Sequence, residues 1–315
     1  MRNKLLVLTR NQQLFYQELS AADLSNLEIF APESEAELSA LVPECNIFLA
    51  NPILVKKHIS AASSLAWLQS VFTGVDALCA DDMRQDYLLT NVREVFGQVM
   101  AEYVFAYILS LKRKVIENYQ NQAKKDWVQE PYGMIRGKTI AVLGTGSIGR
   151  EIASIARVFG MKVIGFSRSG QATDSFSQVY KSTSLLQEVA QADYVVSALP
   201  LTNETSGLLD REFFIAMNNA AVFINVGRGA SVIEADLISA LQEGEIANAV
   251  LDVFTQEPLP VDSQLWETEG LYITPHVSGY SSVEHHAVVK IFKQNYQLYL
   301  EGNELGYQVD FTKGY

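Results

Sequence analysis

The 315-residue sequence has few of the residues that build disulfide frameworks and zinc sites. It contains only two cysteines, Cys45 and Cys79, in separate apolar segments, and four histidines. Two cysteines are too few for a disulfide framework, and the chain lacks the Cys/His spacings typical of a zinc site. The sequence therefore predicts no metal site and a globular fold built around a large hydrophobic core.

An excess of positive charge and a long apolar run are also missing. The chain has 24 Lys and Arg against 36 Asp and Glu, a net charge of −12. This balance argues against nucleic acid and anionic membranes as partners. The most apolar helical segment, Val99–Leu111, is interrupted by Glu102 and is far shorter than the ~20 residues that span a bilayer. The N-terminal apolar stretch is too short for a signal peptide, so we expect a soluble cytoplasmic protein.

Short apolar strands alternate with helical patterns along the whole chain, whose length suits about two domains. Several strands are continuous apolar runs, as expected of parallel strands that are covered on both faces. This alternation predicts a doubly wound α/β architecture. The predicted strands are Leu5–Leu8, Ile47–Ala50, Leu68–Phe72, Thr139–Leu143, Lys162–Ser167, Tyr194–Ala198, Ala221–Asn225, Ala249–Val253 and Tyr272–Thr274.

One long helix is predicted over Gly97–Lys125, and its first half is apolar nearly all round. Such a helix should be buried on more than one side, and it could join two domains and meet a second subunit. We therefore predict a homodimer formed through the helix region 98–125. The domains are predicted as a nucleotide-binding domain over residues 100–281, inserted into a smaller domain made of 1–99 and 282–315. A last helix is predicted at about Val283–Glu301.

A glycine-rich turn follows the strand Thr139–Leu143 and opens a helix over Ser147–Phe159. The pattern G-x-G-x-x-G in this context is typical of dinucleotide-binding Rossmann domains, where helix N-terminal amides face a pyrophosphate. An ordinary glycine turn is the alternative, but the flanking strands and helix favour cofactor binding. The predicted cofactor residues of the turn are Gly144, Gly146, Ser147, Ile148 and Gly149.

The acid expected at the end of the second strand is missing. An Asp or Glu there would hold the ribose hydroxyls of NAD, whereas this chain has Ser167, Arg168 and Ser169. Hydroxyls can donate to a 2′-phosphate, and a guanidinium can pair with it. The three residues therefore favour NADP(H), with NAD(H) still possible. The alternative is that Arg168 is an ordinary solvated side chain.

Three later segments place polar residues at the ends of predicted strands, where open α/β sheets bind ligands. NVGRG holds Arg228, LDVFTQEPLP holds Asp252 and Glu257, and TPHVSG holds His276. Taken singly, each has an ordinary alternative as a turn, cap or surface residue. Their joint order downstream of a glycine-rich turn favours a functional role.

These motifs, with FTGVD at 72–76 and MAEYV at 100–104, closely resemble the D-isomer-specific 2-hydroxyacid dehydrogenase family over nearly the whole chain. The resemblance implies a Rossmann nucleotide domain inserted into a flavodoxin-like substrate domain. It also implies catalytic roles for Arg228, Glu257 and His276. The segment at 167–169 departs from members that carry Asp there and resembles the NADP-preferring glyoxylate and hydroxypyruvate reductases. The family's remaining cofactor contacts would fall on Leu199, Pro200, Val226 and Asp252.

The predicted chemistry suits these residue types. Reduction of a 2-keto acid creates an alkoxide that needs a proton, and His276 is a suitable donor near neutral pH. Glu257 on the other ring nitrogen would favour the imidazolium, and Arg228 could hold the substrate carboxylate and polarise the carbonyl. Backbone amides of Gly74 and Val75 could bind the second carboxylate oxygen.

The expected substrate is a small 2-keto acid, glyoxylate or hydroxypyruvate first. The residues near the substrate in the smaller domain are modest in size and carry no basic cluster for a phosphate group. Two alternatives stay open: an NAD-dependent dehydrogenase for a bulkier D-2-hydroxy acid, and a nucleotide-sensing corepressor-like protein. Trp127 either reaches a neighbouring subunit's active site or packs on its own domain, and His285 and His286 are expected in surface or packing roles. The small-domain residues are Asn51, Pro52, Phe72 and Thr73.

Overall fold

The computed structural model describes residues 2–80, 82–281 and 284–312. The chain divides into two compact units. Unit 1 comprises Met1–Val95 with Ser281–Tyr315, and unit 2 comprises Phe96–Tyr280. These boundaries fall at 95/96 and 280/281, whereas the sequence places them at 99/100 and 281/282.

Unit 1 contains a five-stranded parallel sheet with the strand order β2-β1-β3-β4-β5. This is the order of flavodoxin-like doubly wound folds. The strands are β1 Asn3–Leu8, β2 Leu27–Phe30, β3 Ile47–Ala50, β4 Trp67–Ser70 and β5 Leu88–Thr90. The helices are α1 Gln12–Ala21, α2 Glu35–Leu41, α3 Pro52–Val55 and, from the C-terminal part of the chain, α10 Glu284–Glu301.

The C-terminal helix α10 belongs to the core of unit 1. The indole ring of Trp67 stacks on the ring of Phe292, with centroids 5.1 Å apart and planes 5° apart. Asn295 is buried and donates a hydrogen bond of 2.9 Å to the side-chain oxygen of Gln69. Both partners on β4, Trp67 and Gln69, are fully buried. Residues of the C-terminal helix therefore complete the core that covers the sheet of the N-terminal segment.

Unit 2 contains a seven-stranded parallel sheet with the strand order β12-β11-β10-β9-β6-β7-β8. The order reverses between β6 and β9, as in Rossmann folds. The strands are β6 Thr139–Leu143, β7 Lys162–Ser167, β8 Gln178–Lys181, β9 Tyr194–Ser197, β10 Val222–Asn225, β11 Asn248–Leu251 and β12 Leu271–Ile273. The helices are α4 Gly97–Lys112, α5 Val115–Lys124, α6 Ser147–Val158, α7 Leu185–Glu188, α8 Arg211–Ala216 and α9 Glu234–Gln242.

The two parallel sheets confirm the prediction of a doubly wound α/β protein. The buried central strands β3, β6 and β7 have the predicted bounds, because they are continuous apolar runs. Three strands, β2, β5 and β8, were not predicted, and each lies at a sheet edge. Edge strands are short and partly exposed, so their sequences lack the continuous apolar run.

The prediction of one helix over Gly97–Lys125 is wrong. The segment forms two helices, and the helical conformation is interrupted at Lys114, whose φ of +50° is left-handed. The amide of Lys114 donates to the carbonyl of Leu111, and the side chain of Asn118 donates to the carbonyl of Arg113. These bonds occupy carbonyl groups at the end of α4 and allow the chain to turn without a glycine or proline.

Within this chain the buried residues of α4 lie on one face, so its burial on more than one side, including by a second subunit, stays a prediction. Its buried residues form one stripe, while Glu102 and Ala106 are exposed. The stripe contains Met100, Ala101, Val104, Phe105 and Ile108, which recur at the three- and four-residue spacing of one helix face.

The last helix begins at Glu284, and Val283 of the predicted range lies outside the described residues. Among the helices that the structure describes, none combines the length and the hydropathy needed to cross a bilayer.

Candidate active site

The glycine-rich turn lies between β6 and α6, next to the point where the strand order reverses. Gly144 has a φ of +100°, and a Cβ atom there would lie 2.8 Å from the carbonyl oxygen of Ala198. A Cβ atom at Gly149 would lie 2.0 Å from the carbonyl oxygen of Gly144. Position 144 therefore requires glycine, both because of its backbone conformation and because the loop after β9 approaches it closely.

The N-terminus of α6 suits an anion. Gly146 precedes the helix without a side-chain cap, and the first turn, which includes Ser147, Ile148 and Gly149, holds no acidic residue. A Cβ atom at Gly146 would meet no atom within 4 Å, so the space beside the turn is open. Open space beside uncapped helix amides fits a phosphate group, which is what a bound dinucleotide would place there.

The loops after β9 and β10 lie against this turn. A Cβ atom at Gly227 would lie 2.6 Å from the carbonyl oxygen of Leu199. Val226 is buried and donates its N–H to the carbonyl of Ser197 over 3.0 Å, while Pro200 is exposed. The structure thus brings together the predicted cofactor residues at the ends of three neighbouring strands.

Ser167 is the last residue of β7, and Arg168 and Ser169 follow it on the exposed side. The hydroxyl oxygen of Ser167 accepts from the N–H of Gly170 over 3.1 Å. The hydroxyl oxygen of Ser169 accepts from the N–H of Gln171 over 3.2 Å. Both hydroxyl groups are thereby fixed in a tight turn, and an acceptor bond leaves each able to donate its own hydrogen.

His276 and Glu257 form a hydrogen-bonded pair. The Nδ1 atom of His276 lies 2.7 Å from Oε2 of Glu257, and the other carboxylate oxygen accepts from the N–H of Phe254 over 3.0 Å. The side chains are 46% and 31% exposed, respectively, so ligands can reach them. With Nδ1 engaged, the Nε2 atom of His276 is the nitrogen that can exchange a proton with a ligand.

The pKa of Glu257 reflects opposing influences. Partial burial acts to raise the pKa, whereas the hydrogen bonds from His276 and from the Phe254 N–H, with the charges of His276 and Arg228, act to lower it. The net effect places the pKa of Glu257 below its ordinary value of 4.5. The group is therefore a carboxylate at neutral pH, the form that stabilises a protonated imidazole.

Arg228 lies in the turn after β10, which packs directly on the loop that leads to Glu257. A Cβ atom at Gly229 would lie 1.9 Å from the carbonyl carbon of Phe254, so only glycine fits. The carbonyl of Arg228 accepts hydrogen bonds from Asn225 Nδ2 over 3.1 Å and from the hydroxyl of Ser231 over 2.7 Å. The backbone that presents the guanidinium is thus fixed from both sides.

Asp252 is fully buried and organises the segment that carries His276. Its carboxylate accepts from the hydroxyl of Thr274 over 2.6 Å, and from the N–H groups of Val277 and Ser278 over 2.8 Å each. The hydroxyl of Tyr103 on α4 lies 2.6 Å from the Thr274 oxygen and donates to it, since the Thr274 hydrogen goes to Asp252.

Tyr103 and Thr274 are not among the predicted site residues, although they lie inside the motifs MAEYV and TPHVSG, respectively. The prediction that Asp252 contacts the cofactor stays a prediction.

Gly74 and Val75 lie in unit 1, in the loop between β4 and β5. Val75 is buried and its carbonyl accepts from the N–H of Leu78 over 2.8 Å, while Asn91 donates to the carbonyl of Thr73. The role of these two amides in binding a substrate stays a prediction.

The remaining candidates differ in exposure. Trp127 is 89% exposed, so it does not pack on its own unit. His285 and His286 lie in the first turn of α10, beside Glu18 of α1.

Comparison with known proteins agrees with this arrangement. Residues 105–278, more than half of the chain, match the family model "D-isomer specific 2-hydroxyacid dehydrogenase, NAD binding domain". The chain belongs to this family. The resemblance inferred from the motifs is confirmed, and with it an NAD(P)-dependent oxidoreductase of the 2-hydroxyacid dehydrogenase type.

Solved structures and curated proteins of the family cover most of the chain. A D-isomer specific 2-hydroxyacid dehydrogenase family protein from Aeromonas salmonicida is 42% identical, with a TM-score of 0.95 and coverage of 99% of this chain and 100% of that one. The NADPH-dependent glyoxylate/hydroxypyruvate reductase from Sinorhizobium meliloti, solved with NADP and sulfate, is 26% identical, with a TM-score of 0.87 and full coverage of both chains. Glyoxylate/hydroxypyruvate reductase B from Enterobacter is 34% identical over 72% of this chain and 79% of that protein.

Proposed function

We propose that this dehydrogenase reduces small 2-keto acids, glyoxylate and hydroxypyruvate first, with NADPH as its preferred cofactor. The hydrogen-bonded pair of His276 and Glu257 carries the proposal, because it is an acid–base pair that ligands can reach. Relatives named glyoxylate/hydroxypyruvate reductase support the substrate class.

His276 is proposed as the proton donor. A bound nicotinamide supplies the hydride to the keto carbon when the cofactor is present. The carbonyl oxygen then needs one proton, which the protonated imidazole delivers from Nε2 while Nδ1 stays bonded to Glu257. The ring becomes neutral in this step, and a proton from solvent restores it before the next turnover.

Glu257 keeps the ring in the required state. Because the pKa of Glu257 lies below its ordinary value, the group is negatively charged across the neutral range. Its charge favours the imidazolium form, and its hydrogen bond fixes the plane of the ring. Its second oxygen is held by the Phe254 N–H, so the carboxylate itself cannot rotate freely.

Arg228 is proposed to bind the substrate carboxylate and to polarise the carbonyl. Its turn packs on the backbone of Phe254, whose N–H binds Glu257, and its charge acts to lower the pKa of Glu257. A planar fork of donors matches a carboxylate in two bonds. We assign the N–H groups of Gly74 and Val75 to the second carboxylate oxygen.

The cofactor is proposed to lie along the glycine-rich turn and the loops at Leu199-Pro200 and Val226. A 2′-phosphate would then be bound by the guanidinium of Arg168 and by the hydroxyl groups of Ser167 and Ser169, which lie in one turn. An NADP-bound relative from Sinorhizobium meliloti supports this preference.

The active form is proposed to be a homodimer through the helix region 98–125. The helix α5 buries none of its residues within the chain. Its apolar residues Val115 and Tyr119 are 54% and 73% exposed. Trp127 and Met134, which follow, are 89% and 70% exposed. Apolar side chains exposed together over one segment are typical of a protein interface. Light scattering on the intact chain tests this: a mass of one chain contradicts it.

Absorbance at 340 nm tests the activity, with NADPH or NADH and a panel of 2-keto acids of increasing size. We expect turnover with glyoxylate and hydroxypyruvate, and a His276→Ala variant should lose about 10²–10⁴-fold in kcat while NADPH binding, read by fluorescence, is unchanged. His58→Gln is the control, since His58 lies in unit 1 and outside the proposed site.

The same panel separates the alternatives. Turnover only of bulky keto acids with NADH would indicate the NAD-dependent dehydrogenase. Tight nucleotide binding with no turnover of any keto acid would indicate a nucleotide-sensing protein. A His276→Ala variant with unchanged kcat would mean that the proton comes from another group.

A further inference from the structure

Two imidazole rings converge on one carboxylate oxygen where α1 and α10 of unit 1 meet. The Oε2 atom of Glu18 lies 2.8 Å from Nδ1 of His286 and 3.8 Å from Nε2 of His285. These three atoms all lie within 4.8 Å of one another. None of the three residues has a part in the proposed reduction.

The spacing of the three atoms suits a small divalent cation. Zinc binds imidazole nitrogen and carboxylate oxygen at about 2.0–2.2 Å, so two ligand atoms of a tetrahedral site lie roughly 3.3 Å apart. The separations of the Glu18 oxygen from the two imidazole nitrogens, 2.8 Å and 3.8 Å, lie on either side of that value. Shifts of about 0.5 Å at the ends of the side chains would bring both separations to that value.

The surroundings favour a held arrangement over a chance encounter of mobile groups. The side chains of His285 and Glu18 are only 14% and 31% exposed. The ring of Phe15, a buried residue of α1, meets the His285 ring edge to face with centroids 6.1 Å apart. His286 is 64% exposed, so a cation has access from solvent. Two of the three groups are therefore positioned by packing before any ion arrives.

The other described histidines provide a contrast. His276 faces Glu257, and His58 lies 3.9 Å from Glu35, each with one imidazole per carboxylate. In each of these pairs, one carboxylate is the partner of one imidazole ring. At Glu18, the hydrogen bond with His286 already supplies such a partner, and it does not explain why the His285 ring also approaches the same oxygen.

We propose that Glu18, His285 and His286 form a binding site for a divalent transition-metal ion of the zinc type. Three protein ligands would hold the ion, and water would complete the coordination. Imidazole and carboxylate donors suit zinc, copper and nickel better than magnesium or calcium. Because the ligands come from α1 and α10, the ion would cross-link the N-terminal and C-terminal parts of unit 1.

The sequence offers no usual spacing for this site, which is why it predicts no metal. The two histidines are adjacent in the chain, and the third ligand comes from the opposite end of the sequence. Folding alone brings them together.

Calorimetric titration of the untagged, metal-free chain with Zn²⁺ tests the proposal. We expect one ion bound per chain, together with a rise in Tm, since an ion that binds only the folded state stabilises it. His286→Gln should weaken Zn²⁺ binding by at least about tenfold and abolish the rise in Tm. This side chain is largely exposed, so the variant should fold, which circular dichroism checks.

Two matched controls remove the other pairs of histidine and carboxylate. His58→Gln and His276→Gln should each bind Zn²⁺ with the affinity of the unchanged chain. Co²⁺ in place of Zn²⁺ should give visible absorption bands that disappear in Glu18→Gln.

Three results would overturn the proposal. The first is no Zn²⁺ bound at millimolar concentration, which would mean a hydrogen bond between the helices only. The second is binding that His286→Gln leaves unchanged. The third is binding that the His276→Gln control abolishes, which would move the ion to the other pair. Turnover of keto acids does not enter these measurements, so failure here and failure of the proposed reduction are distinguishable.

Discussion

Thr274 donates a hydrogen bond of 2.6 Å to the buried carboxylate of Asp252. The N–H groups of Val277 and Ser278 donate to the same carboxylate, on the far side of His276. His276 itself has a φ of +55°, in the left-handed region that a residue with a side chain rarely adopts. The carboxylate therefore compensates the cost of a strained backbone that presents the imidazole.

Replacement of this carboxylate should impair both the fold and the reaction. In Asp252→Asn, one oxygen becomes an NH2 group that cannot accept, so a buried donor loses its partner. We expect the free energy of unfolding to fall by about 1–3 kcal/mol, as measured by urea denaturation. We expect kcat to fall as well, since the His276 segment loses its anchor.

Asp262→Asn serves as the matched control, because Asp262 is an exposed residue of the same unit. Tyr103→Phe removes the outer hydrogen bond to Thr274 but leaves the Asp252 carboxylate in place, so it should have a smaller effect, about 0.5–1.5 kcal/mol. An Asp252→Asn variant as stable and as active as the Asp262→Asn control would show that the carboxylate does not hold the segment.

The pH dependence of reduction should change in Glu257→Gln. The pKa of Glu257 is lowered from its ordinary value of 4.5, so the carboxylate stays charged throughout the neutral range and is protonated only in acid. In the unchanged chain, kcat/KM should therefore fall in acid as this carboxylate is protonated. Glutamine does not titrate, so the Glu257→Gln variant should lack this acid-side fall.

The measurement is kcat/KM against pH for glyoxylate, with an expected loss of order 10²-fold at neutral pH. Glu269→Gln, at an exposed position, is the control. An acid-side fall at the same pH in Glu257→Gln and in the unchanged chain would contradict this role of the carboxylate.

Gly229→Ala should disrupt the contact between the Arg228 turn and the Glu257 loop. The new methyl group would lie 1.9 Å from the backbone of Phe254, so one of the two backbones must move. We expect a loss of stability of about 1–3 kcal/mol and a large loss of kcat/KM. In the control Gly279→Ala, the nearest atom to the new methyl group lies 3.6 Å away. Equal melting temperatures of the two variants would contradict the prediction.

Arg168→Ala should separate the two cofactors. A charge-assisted hydrogen bond contributes about 1.5–3 kcal/mol, so the KM for NADPH should rise roughly 10- to 100-fold. The KM for NADH should change little, because NADH has no 2′-phosphate. Lys162→Ala, at the other end of β7, controls for loss of a cation. Equal changes in both KM values would rule out phosphate recognition by Arg168.

The sequence predicts the central architecture because buried parallel strands are continuous apolar runs. The strands at Ile47–Ala50 and Thr139–Leu143 are predicted on that basis, whereas the edge strand Gln178–Lys181 has a polar residue at each end and only two apolar residues between them. The helix break at Lys114 was missed because neither glycine nor proline marks it. Its left-handed conformation is stabilised by contacts that form only in the folded chain.

The candidate site divides in the same way. Arg228, Glu257 and His276 were identified because they follow strands in recognisable motifs. The hydrogen bonds from Tyr103 through Thr274 to Asp252 could not be predicted, since they join residues from distant parts of unit 2. Nothing in local spacing indicates which hydroxyl group will reach a buried carboxylate.

The stacking of Trp67 on Phe292 has a consequence for biosynthesis. The residues of unit 2 form one uninterrupted segment, so all of them leave the ribosome before α10 does. The N-terminal part of unit 1 therefore lacks the aromatic residues of α10, which belong to its core, until α10 has been synthesised. We therefore expect unit 2 to fold before unit 1 is complete, the reverse of the usual order, in which N-terminal domains fold first.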